Sequence, residues 1–389
     1  MSQADSILIV GGGPVGALLA LSLQQKGVPF TMLEARAKGA SHSDTRALAL
    51  SHGSRLILEK LNIWAAIEAQ ATAIKTIHIS QRGGFGRTKL NAAEHQLPAL
   101  GYVLPYGALT KALDAALDLN HVLYEAVATQ VSYDNLRAEI YFEQAGSEVN
   151  IISSLAVIAD GGRSLDNIPN ITRDTKDYGH DALVSKVKTE LPHSNIAYER
   201  FTPTGPMALL PNGQGKDSHD FSLVWTGEKA KINALMALDD AAFLSQLHSI
   251  FGDRVGQFLS IEKRNRFPLK LSTLKSSTTP HLAIIGNAAQ TMHPVAGQGF
   301  NVGLRDAETL AKLMINTPKT QWGGEEMLQS YHKLRARDTH GSIQFTDGLL
   351  KIFSNDLIGV SGARGLGLSA LSLLQPAQKF LVGKMSYGK

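Results

Sequence analysis

The chain has 389 residues, 43% of them apolar, a formal net charge of +4 and no cysteine. That length exceeds what one hydrophobic core serves well, so two domains are expected, and the mild charge without a basic block argues against a nucleic-acid partner. The lack of cysteine excludes disulfides, thiolate catalysis, iron–sulfur clusters and cysteine-ligated zinc, and no metal site is expected.

From the N-terminus, Ser6 to Val10 reads as a buried parallel strand and runs into Gly11-Gly12-Gly13-Pro14-Val15-Gly16, a G-x-G-x-x-G spacing. A helix from Ala17 to Gln25 and a strand from Phe30 to Leu33 follow, ending at Glu34, 21 residues after Gly13. In such a unit the first glycine permits a tight turn and the second lets backbone approach a pyrophosphate. The third lets helix and strand pack, and the acid accepts hydrogen bonds from ribose hydroxyls. Ala35 and Arg36 extend the same edge. The apolar run from Ile7 to Leu23 lacks the basic start of a signal peptide, and no stretch of 18 or more uninterrupted apolar residues predicts a spanning helix. The chain is read as cytoplasmic.

Arg46 sits in DTRALALS, before an amphipathic helix at Leu56 to Leu61. The glycine- and arginine-rich loop from Gln81 to Arg87 is expected to link segments of different domains. Tyr102 to Leu104 reads as a strand and Gly107 to Leu119 as a helix. Short alternating strands from Val122 to Val157 suggest a meander ending at Asp160-Gly161, a pair that occurs in hairpin turns as well as in ligand loops. Asp181 to Phe267 is read as mostly strand, His281 to Ile285 as a buried strand, and the chain after Asn301 as largely helical. Between these last two lies AIIGNAAQTMHPVAGQGFNVGLRDA, Ala283 to Ala307, in which Gly297-Gln298-Gly299 opens a helix whose backbone N–H groups form an anion site. Three strand ends, at Gly11, Asp160 and Gly286, therefore carry ligand-type loops, as expected for one extended dinucleotide at the carboxyl edge of a sheet.

These motifs, in this order and over nearly the whole chain, resemble the class A flavoprotein monooxygenases, the group that includes para-hydroxybenzoate hydroxylase. GNAAQTMHPVAGQGFNVG, AYERFTPTGPMALLPNG, DTRALALS and TDGLLKIFSND resemble a narrower group, the 2-octaprenyl-6-methoxyphenol hydroxylases of ubiquinone biosynthesis. The resemblance implies an α/β fold: a Rossmann-like FAD-binding domain (1–72, 103–175 and 272–345), an interleaved β-sheet substrate domain (73–102 and 176–271) and a helical C-terminal arm (346–389). It implies that FAD is held by Gly11, Gly13, Pro14, Val15, Gly16, Glu34, Ala35 and Arg36, with Arg46 approaching it. Asp160-Gly161 with Arg163 would lie near the pyrophosphate, and Gly286 with Asn287 on the ribityl side. Pro294, Gly297, Gly299, Phe300 and Asn301 would sit beside the flavin ring. Two positions depart from the general family pattern, Asn287 for an aspartate and Gln290 for a histidine, and both agree with the narrower group. Asn287 can still accept a hydrogen bond from a ribityl hydroxyl.

The implied reaction is reduction of FAD by NAD(P)H or another electron donor, and transfer of one atom of molecular oxygen, through a flavin hydroperoxide, to a lipophilic phenol. Pro294, Gly297, Gln298 and Gly299 would shape the oxygen site; His293 either contacts substrate or bonds within its own turn. Phe201, Met207, Leu209 and Trp225 are expected to wall an apolar substrate pocket, and Tyr198, His193 and His219 are candidate bases. From Leu357 to Lys389 the arm carries four bases and no acids, with Leu366, Leu368, Leu371, Leu373 and Leu374 among them. That suits peripheral contact with an anionic membrane, or packing on the domain or another subunit. Other quinone-biosynthesis proteins are conceivable partners. The competing readings are a monooxygenase of another phenol and a non-catalytic flavoprotein subunit.

Overall fold

The computed structural model describes residues 6–83, 86–202, 205–292, 297–353 and 374–388. Four apolar residues, Ile7–Val10, form the centre of a six-stranded sheet, flanked by Leu155–Ile158 on one side and Phe30–Glu34 on the other, all parallel. Leu282–Ile284 adds beyond Leu155–Ile158 and Val122–Tyr124 beyond Phe30–Glu34, also parallel. A strand apolar at every position must be covered on both faces. Ile7 and Ile9 pack with Leu18 and Leu21 of helix Pro14–Gln24, whereas Leu8 and Val10 pack with Val131, Ile140 and Phe142. The latter belong to a three-stranded antiparallel meander, Val127–Tyr133, Ala138–Gln144 and Ser147–Ser153. The carboxyl ends of Ile7–Val10, Leu155–Ile158 and Leu282–Ile284 lie side by side, so the three glycine-bearing loops share one sheet edge.

A second, nine-stranded sheet is built from Thr76–Gln81, Arg87–Asn91 and the strands between Arg173 and Leu274, with Gln290–Thr291 at its edge. Thr76–Gln81 pairs antiparallel with Arg87–Asn91, so the loop between them turns a hairpin within one sheet instead of linking domains. Two helices, Lys229–Ala237 and Asp240–Phe251, interrupt the region read as mostly strand. The second has its own start and stop signals: the Asp239 carboxylate accepts from Ala242 N–H at 2.7 Å, and Gly252 follows its last turn at φ 83°. Both helices cover one face of the sheet. A small sheet of Ala47–Ser51, Thr72–Ile74 and Gly101–Pro105 packs on the nine-stranded sheet and on helix Gln298–Asn316.

Helix Gln298–Asn316 packs on helix Pro14–Gln24 and on the long helix Glu325–Phe353. Their contact buries an ionic knot. Asp306, 2% exposed, accepts from Arg335 Nε at 2.6 Å, from Gly286 N–H at 3.0 Å and from the Gln290 amide at 2.7 Å. Arg335 also pairs with Asp338, which binds Arg305 at 2.7 Å. Burial alone would lower the Arg335 pKa, but the two carboxylates outweigh it and keep the guanidinium charged. Of the C-terminal arm, Gln375–Tyr387 is a helix lying on helix His52–Lys60, with Val382 buried beside Leu90 and Leu100. The remainder from 354 to 373, including Arg364 and most of its leucines, lies outside the described residues. No described helix is long and apolar enough to cross a membrane.

Removing one member of a buried ion pair leaves the other charge uncompensated, so Asp306→Ala is expected to lower the unfolding free energy by about 3–5 kcal/mol. Denaturant unfolding of the variant checks this, and a loss below about 1 kcal/mol would show that the knot contributes no more than a surface pair.

Candidate active site

The shared sheet edge opens into a cleft of about 370 Å³. Its floor is the first glycine turn. Gly11 has φ +107°, and a Cβ there would lie 2.7 Å from the Ala159 and Asp160 backbone; a Cβ on Gly16 would lie 2.0 Å from Gly11 O. Both glycines serve the packing of turn, helix and neighbouring strand, and Gly16 does not line the cleft. Gly13 differs. Its backbone is extended (φ −63°, ψ 172°), and the nearest atom to a Cβ built there is Tyr106 Oη at 3.8 Å. No steric demand of the protein requires glycine at 13, and the space it leaves faces the cleft. This is the fit expected for a pyrophosphate laid against the backbone.

Pro14 and Val15 begin the helix at this floor. At the end of its strand, the Glu34 carboxylate accepts from Gly12 N–H at 2.7 Å and from Arg36 N–H and Nε at 2.9 and 2.7 Å. Burial alone would raise its pKa; the bonds from Arg36 and Gly12 outweigh that and hold it below the ordinary value. Glu34, Ala35 and Arg36 therefore form a rigid corner of the cleft. Arg46 lines the opposite wall, paired with Asp44 at 2.5 Å and lying over the Tyr106 ring at 5.2 Å. Asp160, Gly161 and Arg163 complete it. The Asp160 oxygens accept from Gly162 and Ser164 N–H, both at 2.8 Å, so its carboxylate shapes its own loop and is no hairpin link. Three arginines, Arg36, Arg46 and Arg163, and two acids, Glu34 and Asp160, line the cleft, so its cations outnumber its anions by one.

A second cavity, about 360 Å³, lies between the small sheet and the exposed face of the nine-stranded sheet. Asn287 and Phe300 line both cavities. Asn287 is exposed, and its amide bonds to no described residue. Gly286 behind it is buried at φ +63° against Val15. Gly297, at φ 58°, caps the helix start, and it lines the second cavity with Gln298 and Gly299. The Gln298 amide reaches Met385 O of the C-terminal helix at 3.4 Å.

Asn301 makes four side-chain bonds. Its Oδ1 accepts from Ser51 N–H at 2.8 Å and Ser54 Oγ at 2.7 Å, and its Nδ2 donates to Ala49 O and Gly297 O. With those four bonds made, its side chain ties the helix start to the small sheet, and the residue also lines the second cavity. His293 and Pro294 lie outside the described residues.

The expected pocket wall also needs correction. Met207, Leu209 and Trp225 point to the sheet's other face, into a core with Phe243, Leu247 and Phe251. Phe201 shares the cavity-side row with Pro206 and Thr226 by register but is itself buried outside the lining. The wall is made by the alternate residues Pro206, Ala208, Leu210, Val224 and Thr226. Alternation read correctly gives two faces, and nothing in the sequence of these strands says which one the helices cover. Of the candidate bases, His193 is buried with Nδ1 accepting from Asn195 N–H, and His219 Nδ1 contacts Thr189 O. Neither lines the cavity. The Tyr198 ring packs on Phe221 and Phe251, in the helix-side core.

A dinucleotide cleft opening at one end onto an apolar chamber defines a flavoprotein of the type that acts on a bound organic substrate. The chain belongs to the FAD-binding-domain family, whose model matches residues 4–346, and within it to the FAD-dependent monooxygenases. It is 31% identical over 388 residues to the ubiquinone hydroxylase UbiL of Rhodospirillum rubrum, covering 98% of this chain and 89% of the relative. It is 30% identical over 397 residues to the 3-demethoxyubiquinol 3-hydroxylase of Escherichia coli, covering 98% and 99%. Among solved structures it matches p-nitrophenol 4-monooxygenase PnpA of Pseudomonas putida at TM-score 0.78 and 15% identity over 98% of each chain, a likeness of fold.

Two predictions follow from the faces just described. Gly13→Val should leave the unfolding midpoint of the apoprotein unchanged yet weaken FAD binding by about 100-fold or more, read by flavin fluorescence titration; full FAD occupancy would remove Gly13 from the cofactor cradle. Leu209→Ala should cost about 2–5 kcal/mol of stability, whereas Ala208→Phe on the cavity side should spare stability and FAD content while abolishing substrate turnover. Denaturation and product assays on the pair separate the two faces.

Proposed function

We propose that the protein hydroxylates a polyprenylated methoxyphenol, converting 2-polyprenyl-6-methoxyphenol to the 1,4-benzoquinol, as a step of ubiquinone biosynthesis. The observation that carries this reading is the junction at Asn287 and Phe300, where the dinucleotide cleft meets an apolar cavity. A flavin ring seated there would present one edge to a hydrophobic substrate. The relatives named as ubiquinone hydroxylases, each matched over nearly the whole chain, support a lipophilic quinone precursor in that chamber. Asn287 and Gln290, which match the 6-methoxyphenol group, support the ring position.

FAD supplies the redox chemistry when bound: it takes electrons from NAD(P)H or another donor and activates molecular oxygen for transfer to an electron-rich ring carbon. The chain holds and shields. Gly11 to Val15, Glu34, Arg36 and Arg163 would fix the dinucleotide, and Asn287 would contact the ribityl chain. The helix start at Gly297 to Gly299 lines the chamber and would offer its N–H groups to the ring edge. Leu48, Leu50, Ile74 and Leu210 exclude water from the chamber, and Met385 of the C-terminal helix closes one side. The stem of a prenyl chain would leave through this apolar wall toward the arm, which we read as a peripheral membrane contact and a docking point for other quinone-biosynthesis proteins.

Mass spectrometry of quinone lipids in cells lacking the protein tests the reading. Accumulation of 2-polyprenyl-6-methoxyphenol, cleared by the wild type and not by Gly13→Val, is the expected result. Accumulation of a demethoxyubiquinol instead would move the reaction to the position named for the Escherichia coli relative. An unchanged profile would overturn the quinone pathway and point to another phenol.

A further inference from the structure

We propose that Glu199 is the proton acceptor for the ring hydroxyl of the substrate. This rests on the phenol reading above and assigns a catalytic group to its chamber.

Glu199 lies in the strand Ile196–Thr202, opposite Ala208 of Gly205–Asn212, which is in turn opposite Val224 of Asp220–Glu228. On its other side stands Ile79. An acid therefore occupies the middle of an apolar cross-strand row, and that row faces the cavity: Glu199, Ala208 and Val224 all line it. Among the described residues that line the chamber, from the small sheet, the large sheet, the Asn287–Met292 turn, the helix start and the C-terminal helix, Glu199 is the one charged side chain. Tyr198, the other titratable residue there, has its ring turned into the helix-side core. The adjacent Arg200 also points away, donating to Ile250 O at 3.0 Å and Ser80 Oγ at 3.3 Å. Glu199 makes no hydrogen bond or ion pair with any described residue. A carboxyl in such surroundings costs stability, and the fold gains no contact from it in return.

The environment also tunes it. Burial pushes the Glu199 carboxyl up to about 8. An ordinary carboxylate, near pKa ~4.3, is a poor base toward a phenol near ~10, and a raised one narrows that gap to a workable range. The substrate O–H bond breaks, its proton passes to a Glu199 oxygen and the electron pair enters the ring. The ring carbon para to that oxygen bonds one atom of molecular oxygen as a hydroxyl; reduced flavin supplies two electrons and two protons, and the other oxygen atom leaves as water, taking up the hydrogen that this carbon loses as a proton. Glu199 then returns its proton to the phenolic oxygen, leaving a hydroquinone and the carboxylate.

The test uses FAD-loaded protein with 2-methoxy-6-geranylphenol and its ring-fluorinated, more acidic analogue. Two quantities are read: the phenolate absorption of the bound probe, which needs no turnover, and the pH profile of hydroxylated product. In the wild type both should rise with pH through a limb near 8. Glu199→Gln should keep its FAD, lose that limb, bind the phenol un-ionised and slow product formation by roughly 100-fold or more. The fluorinated probe should recover most of the rate, and Glu199→Asp should retain a limb. A Gln variant with wild-type phenolate absorption and pH profile would overturn the assignment, as would a limb that survives it and disappears in His293→Ala. Wild-type protein that neither binds nor hydroxylates either probe would instead overturn the phenol reading and the assignment with it.

Discussion

The two oxygens of the buried Asp306 carboxylate hold the Gly286 N–H, the Gln290 amide and the Arg335 guanidinium at once. Those three partners come from a strand end, the turn after it and a distant helix. Asn287 stands inside the turn so fixed, and it borders both cavities. Moving Asp306 would release the segment that sets where the cofactor cleft ends and the chamber begins. The charge in the core is tolerable because Arg335 and Arg305 neutralise Asp306 and Asp338 as a network in which every oxygen has a donor.

This knot also explains one departure from the wider family pattern. With Gln290 in place of histidine, a neutral amide donates to Asp306 at 2.7 Å and carries no titrating charge into the network. Asn287 likewise removes a negative charge from the edge of the cleft while keeping a carbonyl acceptor. Neither side chain carries a charge into the junction, and Gln290 still donates to the buried carboxylate.

The turns that line the cleft were legible in the sequence because they depend on backbone. A turn that needs Gly11, a close approach at Gly13 and a contact at Gly16 leave glycines at fixed spacing, and Glu34 at a strand end follows from the same unit. The substrate side was less so. A strand in which both faces are buried spells apolar residues at odd and even positions alike. Met207 and Leu209 could not be told from Ala208 and Leu210 without knowing where Lys229–Ala237 and Asp240–Phe251 pack. Those helices were themselves hidden in a region of strand-like composition. Asn301 shows a different limit: an amide next to a glycine-rich loop suits a ligand and a strut equally in sequence, and the structure adds its four side-chain bonds as a strut.

The parity that misplaced the pocket wall also hid Glu199. In AYERFT the glutamate is flanked by Tyr198 and Arg200, and such a trio reads as a solvated stretch of strand. The structure separates them: the tyrosine ring and the arginine go to the helix-covered face, and the acid is the one charged side chain lining the chamber among the described residues. An arginine beside an acid in sequence would ordinarily stabilise its charge. Here the pleat puts the sheet between them, so the acid keeps a high proton affinity that an Arg–Glu pair on one face would have lowered. A one-residue slip of this strand would bring Arg200 into the chamber and bury Glu199 among Phe221, Phe243 and Phe251. The register that packs the core is therefore the same register that leaves a lone, weakly acidic carboxyl facing an apolar chamber.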